Sequence, residues 1–118
     1  MIVRNLDEQT AFTTKDGSTI RSILDAANAP VQNQSLAEAR VPAGGATQRH
    51  YHKKSEEFYF ILEGAGVMEI NGESCEVKVG DAILIPPGAW HTIRAIHSSL
   101  RFLCCCAPPY SHEDTYFK

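Results

Sequence analysis

The sequence predicts an all-β fold made of short strands that close into a double-sheet jelly roll or a small barrel. Helical periodicity is scarce, and the apolar runs are short. Turn signals separate these runs at close spacing, and the two clearest are Asp16-Gly17 and Asn71-Gly72. The pattern indicates roughly nine or ten strands, a series that protects its edges by closing on itself.

The first half of the chain is expected to hold a hairpin, a loop and two further strands. Lys15-Asp16-Gly17-Ser18 forms the hairpin turn, because Asp-Gly tolerates positive φ. Pro30 lies in the loop, and the side chains alternate from Ser35 to Val41 as they do in a strand. The predicted elements are strands at 11–14 and 19–24, a loop at 26–33, and strands at 35–41 and 47–52.

The second half is expected to hold a run of strands and a short C-terminal arm. Asn71-Gly72 joins two of these strands, and Pro86-Pro87-Gly88 ends another. After Pro108-Pro109, Ser111 stands before acidic residues as a helix N-cap does, which predicts one helical turn or an ordered arm. The predicted strands are 57–62, 67–70, 75–79, 82–85, 90–96 and 100–107.

Length and charge limit the classes of function. A chain of 118 residues is one domain with a modest core. The net charge of −3 provides no basic patch, so we expect no nucleic-acid partner. The start at Met1–Arg4 lacks the apolar core of a secretory signal, and no apolar stretch is long enough to span a bilayer. We therefore expect a cytoplasmic protein with no membrane partner.

Three adjacent cysteines lie in the last apolar run. Cys104, Cys105 and Cys106 have poor spacing for chelation, and no Cys-x2-Cys pair accompanies them. The interpretation we favour is that of small core hydrophobes in a buried strand. Alternation places Cys104 and Cys106 on one face, so a cysteine facing a cavity stays open as the alternative.

Three histidines and a glutamate form a candidate metal site. His50 and His52 lie two residues apart and share one face of a strand. Glu57 lies five residues after His52, an odd offset that would place it on the opposite face of one continuous strand. The polar segment 53–55 lets the chain turn, so that Glu57 can point to the same interior from the next strand. His91 follows the Pro-Pro-Gly turn on a distant strand. Neutral imidazoles with one carboxylate suit a divalent transition metal and leave coordination positions open. Each residue alone is more simply explained as structural or solvated, but together they favour the site.

These residues fall in two glycine-framed patterns that resemble the two motifs of the cupin superfamily. Only the asparagine usual four residues after the last histidine is missing, since Ala95 stands there. The resemblance covers about residues 35–107. The patterns are Gly44-x5-His50-x-His52-x4-Glu57-x6-Gly64 and Gly80-x5-Pro86-x-Gly88-x2-His91.

The resemblance implies a double-stranded β-helix, that is, a jelly-roll barrel, in a single domain over residues 1–118. Its barrel core would span about 35–107, with N-terminal strands in 1–34 and a C-terminal arm at 108–118. It also implies that His50, His52, Glu57 and His91 bind one divalent transition metal per chain. Iron, manganese, nickel, copper and zinc all remain open, because affinity order and geometry do not decide among them at this stage.

Residues around the predicted metal are assigned by strand parity. Tyr59 shares the inward face of Glu57 and is the candidate proton-transfer group, and Gln48 shares the face of His50. The simpler alternative for Tyr59 is a core tyrosine with a satisfied hydroxyl. Inward Ile93, Ala95 and either Ile83 or Ile85 are expected to give the pocket apolar walls. Such walls fit a small, partly hydrophobic ligand with oxygens that reach the metal.

Phe58 and Phe60 are predicted to face outward on the same strand. Burying each is worth roughly 1.5–3 kcal/mol. We therefore expect a second subunit to cover them in a homodimer, with the N-terminal strands as the alternative cover.

Cupins have many functions, so the resemblance alone does not name a reaction. We expect a metalloenzyme that acts on a small oxygenated substrate, with a dioxygenase preferred. The alternatives are a metal-dependent lyase or isomerase without redox chemistry and a non-catalytic cupin that senses a small molecule. Regulatory cupins usually accompany a DNA-binding domain, and none is evident in this sequence, which favours the enzyme.

Overall fold

The computed structural model describes residues 1–117 and confirms an all-β fold, with eleven strands in two antiparallel sheets. The strands are β1 (Phe12–Thr13), β2 (Thr19–Leu24), β3 (Ser35–Val41), β4 (His50–His52), β5 (Glu56–Glu63), β6 (Ala65–Ile70), β7 (Glu73–Lys78), β8 (Ala82–Ile85), β9 (His91–Ala95), β10 (Leu100–Ala107) and β11 (Thr115–Phe117). Within the described residues, no helix is long and apolar enough to cross a membrane.

The sheets form the two layers of a jelly-roll barrel. The six-stranded sheet has the order β1-β2-β3-β10-β5-β8, and the five-stranded sheet has the order β11-β4-β9-β6-β7. Their inner faces enclose one apolar core that includes Ile61, Ile93, Leu100 and Phe102, all of them fully buried.

Most predicted strands lie where the sequence places them, and β2, β3, β8 and β10 have the predicted bounds. Asn71 and Gly72 have φ of 50° and 85°, as their turn requires. Gly64 also has positive φ, and a Cβ there would lie 2.4 Å from the Ser99 carbonyl oxygen, so only glycine fits. The predicted strand at 47–52 is shorter, since only His50–His52 is strand.

The polar segment 53–55 carries the chain from one sheet to the other. It connects β4 in the five-stranded sheet to β5 in the six-stranded sheet. The amides of Lys54 and Ser55 donate hydrogen bonds to the Asp114 carboxylate, and the Ser55 hydroxyl donates to the Pro108 carbonyl. This crossing resolves the parity of Glu57 as predicted, because Glu57 and the histidines lie on facing sheets.

The C-terminal arm is ordered and packs against β4. Ser111 caps a 3-10 turn at His112–Asp114 by accepting a hydrogen bond from the Glu113 amide, which confirms the predicted helical turn. The following strand, β11, pairs antiparallel with β4, and Thr115 lies opposite His52. The arm therefore becomes the neighbour of the strand that carries two predicted ligands.

Candidate metal centre

The four predicted ligands converge inside the barrel. His50 on β4 and His91 on β9 are directly paired across the five-stranded sheet, and His52 follows on β4. Glu57 on β5 approaches from the opposite sheet. All four side chains are buried.

The three histidines form a cluster that could hold an ion, and Glu57 lies close to two of them. The ligand nitrogens of His50, His52 and His91 all lie within 4.8 Å of one another. Glu57 Oε1 lies 3.4 Å from His52 Nε2 and 3.5 Å from His91 Nε2. Ligands about 2.1 Å from a common ion are separated by roughly 3.0–3.4 Å. The carboxylate is therefore spaced from two imidazoles as it would be in a shared coordination sphere.

The outer nitrogen of each imidazole is held by a neighbouring group. His50 Nδ1 lies 2.7 Å from the Gln48 carbonyl oxygen, and His91 Nδ1 lies 2.9 Å from that of Ala89. Because a carbonyl only accepts, Nδ1 carries the proton in both rings and Nε2 is left with a lone pair. His52 Nδ1 lies 3.2 Å from the Thr115 hydroxyl. Such support orients histidines that bind metals.

Two atoms at this centre lack hydrogen-bond partners. Glu57 Oε1 and His91 Nε2 are buried, and no described residue makes a hydrogen bond to either. An unsatisfied buried polar atom costs about 1–3 kcal/mol, so a pair at one point needs an explanation. A cation between them would supply one, and imidazole nitrogens with one carboxylate are a suitable donor set.

The environment keeps Glu57 ionised. Burial acts to raise its pKa, but the adjacent His52 and His91, 3.4 and 3.5 Å from Oε1, outweigh burial and lower the pKa to about 2. For His52, burial acts to lower the pKa, but the adjacent Glu57 carboxylate prevails and raises it. The pKa of His50 is lowered, chiefly by burial and then by His91. The centre therefore combines a carboxylate with a neutral His50 imidazole.

A cavity of about 560 Å³ opens beside His50, His52 and Glu57. Its walls come from the hairpin β1–β2, the inner faces of β3, β5 and β10, and the C-terminal arm around Tyr110. The apolar residues expected to line it do face inward, but Ile85, Ile93 and Ala95 pack into the core and do not line the cavity. The choice of these residues was wrong, because the apolar part of the wall comes instead from the hairpin, β3 and β10, through residues such as Ile20, Ala39 and Phe102.

The two predicted catalytic residues have different surroundings in the structure, because Tyr59 lines the cavity and the Gln48 side chain does not. Tyr59 is buried and lines the cavity, and burial, followed by the charge of Glu57, raises the pKa of its hydroxyl well above the usual range. The side chain of Gln48 is exposed and is not among the described residues that line the cavity. Its backbone instead supports His50, and the predicted role of its side chain stays a prediction.

Two of the three cysteines reach the cavity. Cys104 and Cys106 line it, as alternation allowed. The Cys106 thiol donates a hydrogen bond of 3.2 Å to Glu57 Oε2, the oxygen that points away from His52 and His91. Burial, together with the charge and hydrogen bond of Glu57, raises the pKa of this thiol and keeps it a donor. Our interpretation of the three cysteines as small core hydrophobes did not predict this contact.

Asp16 is a second carboxylate near the centre, and sequence reasoning treated it only as a turn residue. Its Oδ2 lies 3.9 Å from His50 Nε2, and its side chain lines the cavity. Thr115, which supports His52, was also missed. Neither residue lies in a motif, and each reaches the centre through tertiary packing.

Comparison with known proteins agrees with this fold. A protein of Methanocaldococcus jannaschii without an assigned function is 49% identical over 116 residues, covering 98% of this chain and 93% of that protein. The oxalate-binding protein of Thermotoga maritima is 34% identical over 69 residues, covering 58% of this chain and 57% of that protein. The solved structure of the polyketide cyclase RemF from Streptomyces resistomycificus has a TM-score of 0.79 and 26% identity, covering 97% of this chain and 89% of that one.

A family model described as the cupin domain matches residues 37–106. The chain therefore belongs to the cupin family. It spans just over half the length of the oxalate-binding protein that it matches. These similarities establish the family and the fold. The oxalate-binding protein and the polyketide cyclase are named for different functions, so the similarities do not indicate a single activity.

Proposed function

We propose that this chain is a metal-dependent cupin enzyme that acts on a small oxygenated substrate. His50, His52, Glu57 and His91 would hold one divalent transition metal per chain, with iron, manganese, nickel, copper or zinc as candidates. The observation that carries the proposal is the pair of buried, unpartnered atoms, Glu57 Oε1 and His91 Nε2, in a ligand cluster that opens on a 560 Å³ cavity.

The metal would act as a Lewis acid toward a substrate oxygen or support redox chemistry. The chain's own groups hold the ligands in place. The Gln48 and Ala89 carbonyls fix two imidazoles, and Cys106 orients Glu57. The Tyr59 hydroxyl stays protonated in the cavity wall, which makes it a hydrogen-bond donor to a bound substrate.

Two reaction types fit this arrangement. A dioxygenase needs a redox-active metal and room for a chelating substrate, and the cavity provides that room. A lyase, isomerase or cyclase needs only the Lewis acid and a proton-transfer group, and Tyr59 in the cavity wall is the candidate for that group. The 26% identity to a polyketide cyclase over 97% of this chain supports the second reaction type as the alternative to a dioxygenase. Dioxygen uptake by metal-loaded protein with small dicarbonyls, phenols and thiols separates them.

Elemental analysis tests the metal itself. Purified wild-type protein should carry about one divalent metal per chain, and His50→Ala/His91→Ala should carry close to none. His97→Ala is the matched control, since His97 is exposed and lies outside the cluster. Equal metal content in all three proteins, or none in the wild type, contradicts the proposal.

We also propose that the chain forms a homodimer through the outer face of β5 and β8. Phe58, Phe60 and Leu84 are 50%, 42% and 54% exposed and lie side by side, with Phe58 paired to Leu84. Light scattering should give twice the chain mass, and Phe58→Asp should reduce it to the monomer. Val79→Asp changes an apolar residue that is 59% exposed elsewhere and should leave the dimer intact. A monomeric wild type contradicts this proposal.

A further inference from the structure

Asp16 is held against the candidate metal centre by the backbone of Gln48. The Gln48 amide donates a hydrogen bond of 2.7 Å to the Asp16 carbonyl, while the Gln48 carbonyl accepts one of 2.7 Å from His50 Nδ1. One residue therefore fixes both the tip of the β1–β2 hairpin and a metal ligand. The position of Asp16 relative to His50 is part of the architecture of the site.

The two carboxylate oxygens of Asp16 have different surroundings. Oδ1 accepts hydrogen bonds from the Thr14 hydroxyl and from both the amide and the hydroxyl of Ser18. Oδ2 faces His50 Nε2 at 3.9 Å, which is too long for a hydrogen bond. No described residue is recorded as a hydrogen-bond donor to Oδ2, so this oxygen is available to a bound molecule.

The rest of the cavity adds negative charge. Asp25, Glu57 and Glu113 also line it, and no lysine or arginine is among the described lining residues. Asp25 differs from Asp16 because both its oxygens accept hydrogen bonds, from Ser22, Ala27 and Asn28. The Glu113 carboxylate also has no described hydrogen-bond partner, but Glu113 is exposed, whereas the Asp16 side chain is 15% exposed and lies beside His50. Asp16 is therefore the acid that places a free oxygen next to the candidate metal centre.

We propose that Asp16 is a specificity-determining residue. It selects a neutral or positively charged substrate that carries a hydrogen-bond donor next to its metal-binding oxygen, and it disfavours carboxylate ligands. This inference rests on the proposed metal centre. A substrate hydroxyl, amide or amine can donate to Oδ2, whereas a second anion there is repelled and has no arginine or lysine to pair with.

Two small probes of the same skeleton test this selectivity. Glycolamide and glycolate both offer a hydroxyl and a carbonyl oxygen, but the amide is neutral with N–H donors and the carboxylate is an anion. Each is titrated into cobalt-loaded protein, and the dissociation constant is read from the change in the cobalt absorption spectrum. Because cobalt itself favours the anionic carboxylate, the readout is the ratio of the two dissociation constants in each protein. Asp16→Asn should bind glycolate more tightly relative to glycolamide than the wild type does, with a change in this ratio on the order of tenfold.

Asp25→Asn is the matched control, since it makes the same charge change in the same cavity at a carboxylate that already has partners. It should shift the preference far less than Asp16→Asn. Asparagine at position 16 keeps an oxygen for Thr14 and Ser18, and a thermal melt verifies that the variant is folded. Equal shifts of the ratio in both variants, or no shift in Asp16→Asn, overturn the inference.

The cobalt spectrum separates failure of this inference from failure of the metal centre. A normal spectrum with an unchanged probe preference in Asp16→Asn contradicts the role of Asp16 alone. A wild type that takes up no cobalt contradicts the metal centre, and the selectivity that rests on it fails as well.

Discussion

The two ends of the barrel interior differ in chemistry although the same strands build both. On β5 the inward residues change from Glu57 through Tyr59 to Ile61, and on β9 they change from His91 to Ile93. At one end the buried groups are ligands and thiols beside a cavity, and at the other they are close-packed hydrocarbons. The apolar end stabilises the fold, while the polar end buries unpartnered atoms at a cost in free energy. The fold can therefore hold the energetically unfavourable cluster of buried polar groups because the close packing of the apolar end offsets its cost.

Replacing a residue at the apolar end should give the largest loss of stability. Ile61→Ala removes a fully buried side chain that does not line the cavity, and it should lower the free energy of unfolding by about 2–5 kcal/mol. Cys104→Ala, on β10, borders the cavity and should lower it much less. Urea denaturation measures both. Similar losses at the two positions would show that the two ends do not divide the roles in this way.

Acid should weaken the polar end selectively. The pKa of Glu57 falls from 4.5 to about 2 on folding, so its ionisation stabilises the metal-free fold above pH 4.5 and this stabilisation is lost as the pH falls toward 2. The loss should be on the order of 2–3 kcal/mol. Glu57→Gln has no such carboxyl and should show a flatter pH dependence of its unfolding free energy between pH 5 and pH 2. Parallel curves for the two metal-free proteins would refute this assignment.

Removing the thiol behind Glu57 should weaken metal binding while leaving the apolar end intact. Cys106→Ala eliminates the donor to Glu57 Oε2 and should raise the metal dissociation constant roughly 10–100-fold. Cys106→Ser keeps a donor and should recover much of the affinity. Cys105→Ala is the control on the opposite face of β10. Competition with a chromophoric chelator measures the constants, and equal values for alanine and serine at position 106 would count against a positioning role.

The smallest effect concerns thiol reactivity. Burial raises the pKa of Cys104 and Cys106, and the charge of Glu57 adds to it, whereas Cys75 is exposed on β7. Iodoacetamide at pH 8 should therefore modify Cys75 first in the folded protein. Peptide mapping by mass spectrometry locates the label, and faster modification of Cys104 or Cys106 would mean that the polar end is more open than described.

The sequence predicted what depends on strand parity and motif spacing. Alternation placed Tyr59 inside and Phe58 outside, and the break before Glu57 brought that residue to the histidines. These features follow from local geometry, which a single strand and its turn define.

What the sequence did not reveal depends on tertiary packing. Asp16 and Thr115 reach the centre because a hairpin and an arm, distant along the chain, fold against β4. Asp16 already had a sufficient local explanation as a turn residue, so nothing marked it as functional. Gln48 was chosen for its side chain, yet its backbone is what contacts the site. The alternation of side chains along a strand cannot reveal such contacts, because it does not indicate which distant parts of the chain pack against that strand.

Anomalous X-ray scattering from crystals grown with cobalt tests the central claim most directly. We expect one strong peak per chain, bound by Nε2 of His50, His52 and His91 and by Oε1 of Glu57. No peak at that position, or occupancy only at surface groups such as Cys75, His97 or His112, would contradict a metal centre at the polar end of the barrel.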